Sequence, residues 1–316
     1  MIGTPVSGLA VALGVLAIAL AGPVPVLLAR AKWPAAAPGL ALTLWQSIAL
    51  AGGISMIGSL LLFGLQPFGD DLWSRIGGAF RTILSGPLPP SASLATTFAL
   101  SAAVLLTVHL LLNLALTSAR SRRQRHRHRE LLSLLSSPLP DAPSTRIIDH
   151  PAPAAYCLPG ARSVTVLSEG MIELLNADQL EAVIAHEHAH LKQKHHLLLD
   201  AFRSWKRALP WFPIATRAQD AVALLVEMLA DDHARHIVGD AVLAEAIELV
   251  DATGTSGAAL GAPKDQRTPE QRRTAITARV QRLVTPQHPV GPGLRLLVAV
   301  VATALVVVPP VLILTS

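Results

Sequence analysis

The chain has 316 residues, of which 51% are hydrophobic and 15% are charged. In soluble proteins about a quarter of all residues are charged. This composition therefore argues against a soluble enzyme and is typical of a protein with several membrane spans. The formal net charge is +5, and the single cysteine excludes an internal disulfide bond and suits a reducing compartment.

Four apolar segments predict the membrane-spanning helices. Crossing the hydrocarbon core takes about 20 helical residues, and each segment is long enough. The segments cover about residues 6–29, 40–65, 94–119 and 294–314. None of them contains Asp, Glu or Lys. The first lacks the preceding basic residues of a signal peptide, so we expect it to stay as an anchor.

The distribution of positive charge predicts the orientation in the membrane. Arg30 and Lys32 follow the first span, and the basic run Arg120–Arg129 follows the third, whereas the loop after the second has no positive excess. The positive-inside rule then places residues 120–292 in the cytoplasm and both termini outside a cell membrane. Topology and anionic lipid headgroups explain the basic run, so we expect contact with the bilayer and no direct contact with nucleic acid.

The chain thus divides into three regions. Residues 1–119 form a membrane domain with three spans, residues 120–292 form a cytoplasmic domain, and residues 293–316 hold the fourth span. The cytoplasmic domain is mostly helical in pattern, with short strands predicted at 154–158 and 163–167. The predicted fold class is therefore mainly α, with multi-span transmembrane helices and a small β element.

Local signals predict the other elements of the cytoplasmic domain. Residues 136–153 indicate a linker with one short strand at 146–148. Asn176 or Asp178 is expected to cap the next helix, with Asp178 and Glu181 forming a capping box. We expect that helix to run to about residue 195. Further elements are helices at about 196–209, 216–238 and 240–251, a loop at 254–264, and a helix opened by Thr268-Pro269-Glu270-Gln271.

The run His186-Glu187-His188-Ala189-His190 matches the pattern H-E-x-x-H. Residues four apart share one face of a helix, so His186 and His190 can bind the same metal ion. Glu187 can then reach a water molecule on that metal and act as general base. The pattern predicts a catalytic site with Zn²⁺ as cofactor; a chance match in a chain with 12 histidines is the alternative.

A catalytic zinc site normally has three protein ligands, and Glu227-Met228-Leu229-Ala230-Asp231 offers the third. Glu227 can supply a carboxylate oxygen. Alternatively, Glu227 is an ordinary solvated acid on an amphipathic helix. Asp231, one turn further, can hold the free nitrogen of a ligating histidine. Among other histidines, His195 is expected near a helix end, where it interacts with the helix dipole or with solvent, whereas His233 and His236 are candidates for an oxyanion donor.

These stretches resemble a known group of enzymes. Residues 176–190 together with 227–231 are similar to the gluzincin-type integral membrane metallopeptidases, in which two branches fit: the BlaR/MecR-type antibiotic-sensor peptidases and the HtpX/Ste24-type quality-control and CAAX peptidases. Three spans, a zinc domain and a closing span are similar to the BlaR/MecR arrangement. Those sensors carry a β-lactam-binding domain after the last span, and this sequence ends at Ser316, so the resemblance implies a peptidase without that sensor domain.

The resemblance also implies roles for individual residues. By it, residues 120–292 form a zincin-type metalloprotease domain in which His186, His190 and Glu227 bind zinc. Glu187 corresponds to the catalytic acid/base and Asp231 to the partner that orients a ligand.

The sequence therefore predicts an integral membrane zinc endopeptidase that cleaves cytoplasmic or membrane-proximal protein substrates. By the resemblance, a transcriptional repressor in a signalling pathway is one candidate substrate. Two alternatives stay open: a membrane quality-control protease of the HtpX/Ste24 type, and a non-catalytic receptor or scaffold that contains zinc. We also expect the strand at 163–167 to hold a peptide by edge pairing.

Overall fold

A computed structural model describes residues 5–139, 142–158, 164–210, 213–253, 268–285 and 288–316. The described chain is mainly helical, with a small sheet and four helices long and apolar enough to cross a membrane, which confirms the predicted fold class. The loop predicted at 254–264 lies outside the described residues.

The membrane region is built from helices that follow the apolar segments. The first segment forms two helices, and they meet at Gly22 because Pro23 lacks the N–H group that would continue the first. The helices are α1 (Pro5–Ala21), α2 (Pro23–Arg30), the short α3 (Trp33–Ala36) and α4 (Pro38–Leu65). After a 3₁₀ turn come α5 (Leu72–Ser85) and α6 (Leu94–Leu135), and α13 (Pro292–Leu314) ends the chain.

Helix α4 is the centre of the membrane bundle and packs against α1, α6 and α13. Gly64 faces α6 so closely that a Cβ atom there would lie 2.5 Å from the backbone nitrogen of Leu100. Small residues permit such close approach between spans. On another face of α4, the hydroxyl of Ser59 donates a hydrogen bond of 2.7 Å to the carbonyl of Ala10.

Helix α6 leaves the membrane region without a break. Its 42 residues correspond to a rod about 63 Å long. The basic run therefore continues the third span as helix and extends alongside the domain that carries the H-E-x-x-H motif.

The sheet contains strands β1 (Ser137–Leu139), β2 (Ala142–Ile148), β3 (Ala155–Leu158) and β4 (Val164–Ser168), in the order β1-β2-β4-β3. Strands β2 and β4 are parallel, and the other pairs are antiparallel. Two strands thus replace the predicted linker with one short strand. The proposal of edge pairing at residues 163–167 is wrong, because β4 is paired on both sides; β1 and β3 are the edge strands.

Six helices complete the domain: α7 (Glu169–Leu174), α8 (Ala177–Lys192), α9 (His195–Ala208), α10 (Pro213–Val238), α11 (Asp240–Ala252) and α12 (Pro269–Val284). The capping box of α8 joins Asn176 and Gln179, not Asp178 and Glu181 as predicted. Helix α8 also ends at Lys192, earlier than expected. Lys194 adopts the left-handed conformation with φ of 52°, which turns the chain into α9.

The domain packs directly against the membrane helices. Trp45 and Ile48 of α4 share a buried apolar cluster with Phe202 of α9 and with Val222 and Val226 of α10. Helix α10 also packs against α8, so one helix contacts both the spans and the H-E-x-x-H motif.

Candidate metal centre

Two helices bring the three predicted metal ligands together. Helix α8 presents His186 and His190 one turn apart, and α10 presents Glu227. The two histidine Nε2 atoms are 3.1 Å apart. Oxygens of Glu227 lie 3.4 Å from Nε2 of His186 and 3.7 Å from Nε2 of His190, and one ligand atom from each residue lies within 4.8 Å of the other two.

The geometry of these atoms fits a tetrahedral zinc ion. Two nitrogens each 2.0–2.1 Å from such an ion lie about 3.3 Å from one another. The observed separations of 3.1, 3.4 and 3.7 Å, the last two to different oxygens of Glu227, fall around that value. Two imidazoles and one carboxylate are also the ligand set of several catalytic zinc sites, which leave one position open.

Asp231 and Arg279 form a second layer behind His186. Nδ1 of His186 lies 2.9 Å from Oδ1 of Asp231, whose side chain is 1% exposed. Arg279 of α12 donates two hydrogen bonds to Asp231, of 2.8 and 2.7 Å, and its Nη1 lies 3.3 Å from Glu227. The structure therefore adds to the site a cation that sequence reasoning missed.

His190 has a partner of its own in His195. Nδ1 of His195 lies 3.0 Å from Nδ1 of His190, and its Nε2 lies 3.0 Å from Oε1 of Gln193. If His190 presents Nε2 to a metal, its Nδ1–H donates to His195, which donates in turn to Gln193. The expectation that His195 contacts solvent is wrong: it is 3% exposed, because the left-handed Lys194 turns it back toward α8.

Glu187 lies between the ligand pair and strand β3. The backbone N–H of Cys157 donates a hydrogen bond to its carboxylate. Burial raises the pKa of Glu187 to about 7, although the neighbouring His186 opposes the shift. Such a carboxylate can both accept and return a proton near neutral pH. Burial also raises the pKa of Cys157 to about 11, so this residue is a neutral thiol.

Burial and neighbouring charges shift the pKa values of the three ligands in opposite directions. Burial lowers the pKa of His186, but Asp231 and Glu227 outweigh it and raise that pKa to about 9. Burial lowers the pKa of His190 to about 4. Burial would raise the pKa of Glu227, but His190, His186 and Arg279 hold it well below the ordinary value. The site therefore keeps the carboxylate ligand ionised and one imidazole neutral.

The remaining histidines of the prediction lie away from the ligand atoms. His188 points to the sheet, where its Nε2 lies 3.0 Å from the hydroxyl of Thr165. His233 and His236 line neither of the two cavities that reach the site, so nothing in this geometry supports them as oxyanion donors.

Two cavities meet at Glu187 and Glu227. One of 260 Å³ lies between α8, α11 and α12, with Val183, Leu243 and Ile247 in its wall. The other, of 400 Å³, lies between α6, α9 and β3. Ala155 of β3 lines both, so an extended cleft follows the edge strand past the candidate metal centre.

Comparison with known proteins agrees with this geometry. The sequence model of peptidase family M48 matches residues 118–252, from within α6 to the end of α11. The match supports a membrane-type zinc metallopeptidase. It includes His186, His190, Glu227 and Asp231, whereas Arg279 lies outside the matched residues. No curated protein and no solved structure gives a significant match.

Proposed function

We propose that this protein is an integral membrane zinc endopeptidase in which His186, His190 and Glu227 bind the metal. The convergence of these three side chains from two helices carries the proposal. The four apolar helices and the M48 match support it. By the positive-inside rule we place the site in the cytoplasm, with both termini outside.

Each residue of the site has a separate role in the proposed reaction. A bound zinc ion would lower the pKa of water and polarise a peptide carbonyl. Glu187 takes the proton of the attacking water and delivers it to the leaving amine, which its pKa near 7 permits. Asp231 and His195 hold the two ligand imidazoles in one orientation and tautomer. Arg279 balances the negative charge of Asp231 and Glu227.

The cleft suits an extended polypeptide. Strand β3 pairs with β4 on one side only, so its other edge can bind a substrate backbone next to Glu187. The substrates we propose are cytoplasmic or membrane-proximal proteins. By the family resemblance a transcriptional repressor is the leading candidate, and damaged membrane proteins are the second.

The variant Glu187→Gln tests the proposal, with His188→Gln as its matched control on the same helix. We expect Glu187→Gln to bind one zinc ion per chain while cleavage of labelled casein falls by about 10²–10⁴-fold, the contribution of a positioned general base. The control should cleave normally. Zinc binding without any chelator-sensitive cleavage by the wild-type protein would favour the scaffold alternative, and full cleavage by Glu187→Gln would refute the assigned base.

A further inference from the structure

The end of α9 packs against the third span near the edge of the membrane. Nε2 of His109, in the apolar part of α6, lies 3.0 Å from the carbonyl oxygen of Ala208 at the end of α9. His109 precedes Arg120, the first basic residue after the span, by eleven positions, or about 16 Å along a helix. Near its middle α9 contacts the basic run, because Ser121 donates a 2.9 Å hydrogen bond to Asp200. The apolar segment 94–119 has 26 residues, about six more than the hydrocarbon core requires, so the end of α9 lies near the edge of the core.

One face of α9 is basic in this region. Arg203, Lys206 and Arg207 follow the spacing of a single helix face, and together with Pro210 and with Gln219 of α10 they line a surface cavity of 340 Å³. The opposite face, with Phe202, packs into the cluster shared with the membrane helices. The cations are thus directed away from the bundle.

These cations have too few protein partners. Arg203 lies 3.5 Å from Asp200, which also pairs with Arg125. Neither Lys206 nor Arg207 forms an ion pair with a carboxylate in the part of the chain that the structure describes. In the same part, Oε1 of Gln219 is buried without a hydrogen-bond partner. The cavity therefore has both unmatched positive charge and an unused acceptor.

We propose that this cavity binds the headgroup of an anionic phospholipid. Charged side chains beside the hydrocarbon core are costly unless they are paired or extend to the interface, and the anion available at the interface is the lipid phosphate. Its phosphate would contact Lys206, Arg207 and Arg203, and a headgroup hydroxyl would donate to Gln219. The lipid would anchor the hairpin whose second helix carries Glu227. The proposal does not depend on peptidase activity.

Native mass spectrometry of the full-length protein in a neutral detergent tests this site. Phosphatidylglycerol is added to the wild type, to the triple variant R203Q/K206Q/R207Q, and to R122Q/R123Q/R127Q, which removes three exposed arginines of the basic run instead. We expect the wild type and the second triple variant to retain one phosphatidylglycerol that the first loses. Phosphatidylcholine should not be retained in its place.

Equal retention by all three proteins would overturn the proposal, and so would equal loss from both triple variants, which indicates general electrostatic attraction. Displacement of the bound lipid by millimolar inorganic phosphate would assign the cavity to a soluble anion. Circular dichroism melting establishes that the variants are folded. If the first triple variant does not fold, the double variant K206Q/R207Q replaces it with the same expected loss.

Discussion

The contact between His190 and His195 gives a prediction about metal affinity. His195 is 3% exposed, and its Nδ1 lies 3.0 Å from Nδ1 of His190. The variant His195→Ala leaves that nitrogen without a partner in a buried place, which costs about 1–3 kcal/mol. Loss of a partner behind a metal ligand costs about 10–100-fold in metal affinity, or about 1.4–2.7 kcal/mol. The two estimates agree, so we expect zinc to bind His195→Ala about 10–100-fold more weakly.

The neighbouring residue provides the control. His196 lines the cavity of 400 Å³. Burial lowers the pKa of His196, with smaller effects from Arg125 and Asp200, and His190 is not among the groups that affect it. Competition with a fluorescent zinc chelator measures the affinity of wild type, His195→Ala and His196→Ala, and the second variant should resemble the wild type. Equal affinities for all three proteins, or an equal loss in both variants, would refute the role given to His195.

The packing of the membrane helices, the pKa of His186 and the orientation in the membrane give three further predictions. Gly64→Val should lower the melting temperature, at a cost of about 1–3 kcal/mol for overpacking, whereas Gly53→Val should not, because a Cβ there meets nothing within 4 Å; equal melting curves would contradict this. Because the pKa of His186 is raised to about 9, zinc binding must displace its proton below that pH. Apparent zinc affinity should then rise with pH and level off near 9, and an affinity independent of pH would exclude this linkage. In a background without the native cysteine, an impermeant maleimide should label Ser91→Cys in intact cells and Gln124→Cys only after lysis; the reverse would overturn the orientation.

The sequence predicts those parts of the site that depend on spacing within one helix. His186 and His190 lie one turn apart, as do Glu227 and Asp231, and a helix places each pair on one face whatever the tertiary fold. The same local logic predicts the cap at Thr268, which the structure confirms. The sequence places the capping box of α8 two residues too late, because Asn176 and Asp178 are both good caps. Only the structure shows that the N–H of Gln179 donates to Asn176.

Residues brought in by long-range packing could not be predicted in this way. Arg279 reaches Asp231 from a helix 48 positions further along the chain, and nothing in the local sequence distinguishes it from other arginines of α12. His195 depends on one left-handed residue, Lys194, a conformation that lysine rarely adopts. The strand at Ser137–Leu139 contains a proline and forms only because β2 offers an edge.

Zinc K-edge X-ray absorption of the purified full-length protein tests the central claim most directly. The spectrum should show two imidazole nitrogens at about 2.0–2.1 Å, light oxygen ligands and no sulfur. In Glu227→Ala the imidazole signal should persist while the carboxylate contribution is lost and the affinity falls. A sulfur scatterer at about 2.3 Å, or a zinc environment unchanged in His186→Ala and Glu227→Ala, would contradict the proposed metal centre.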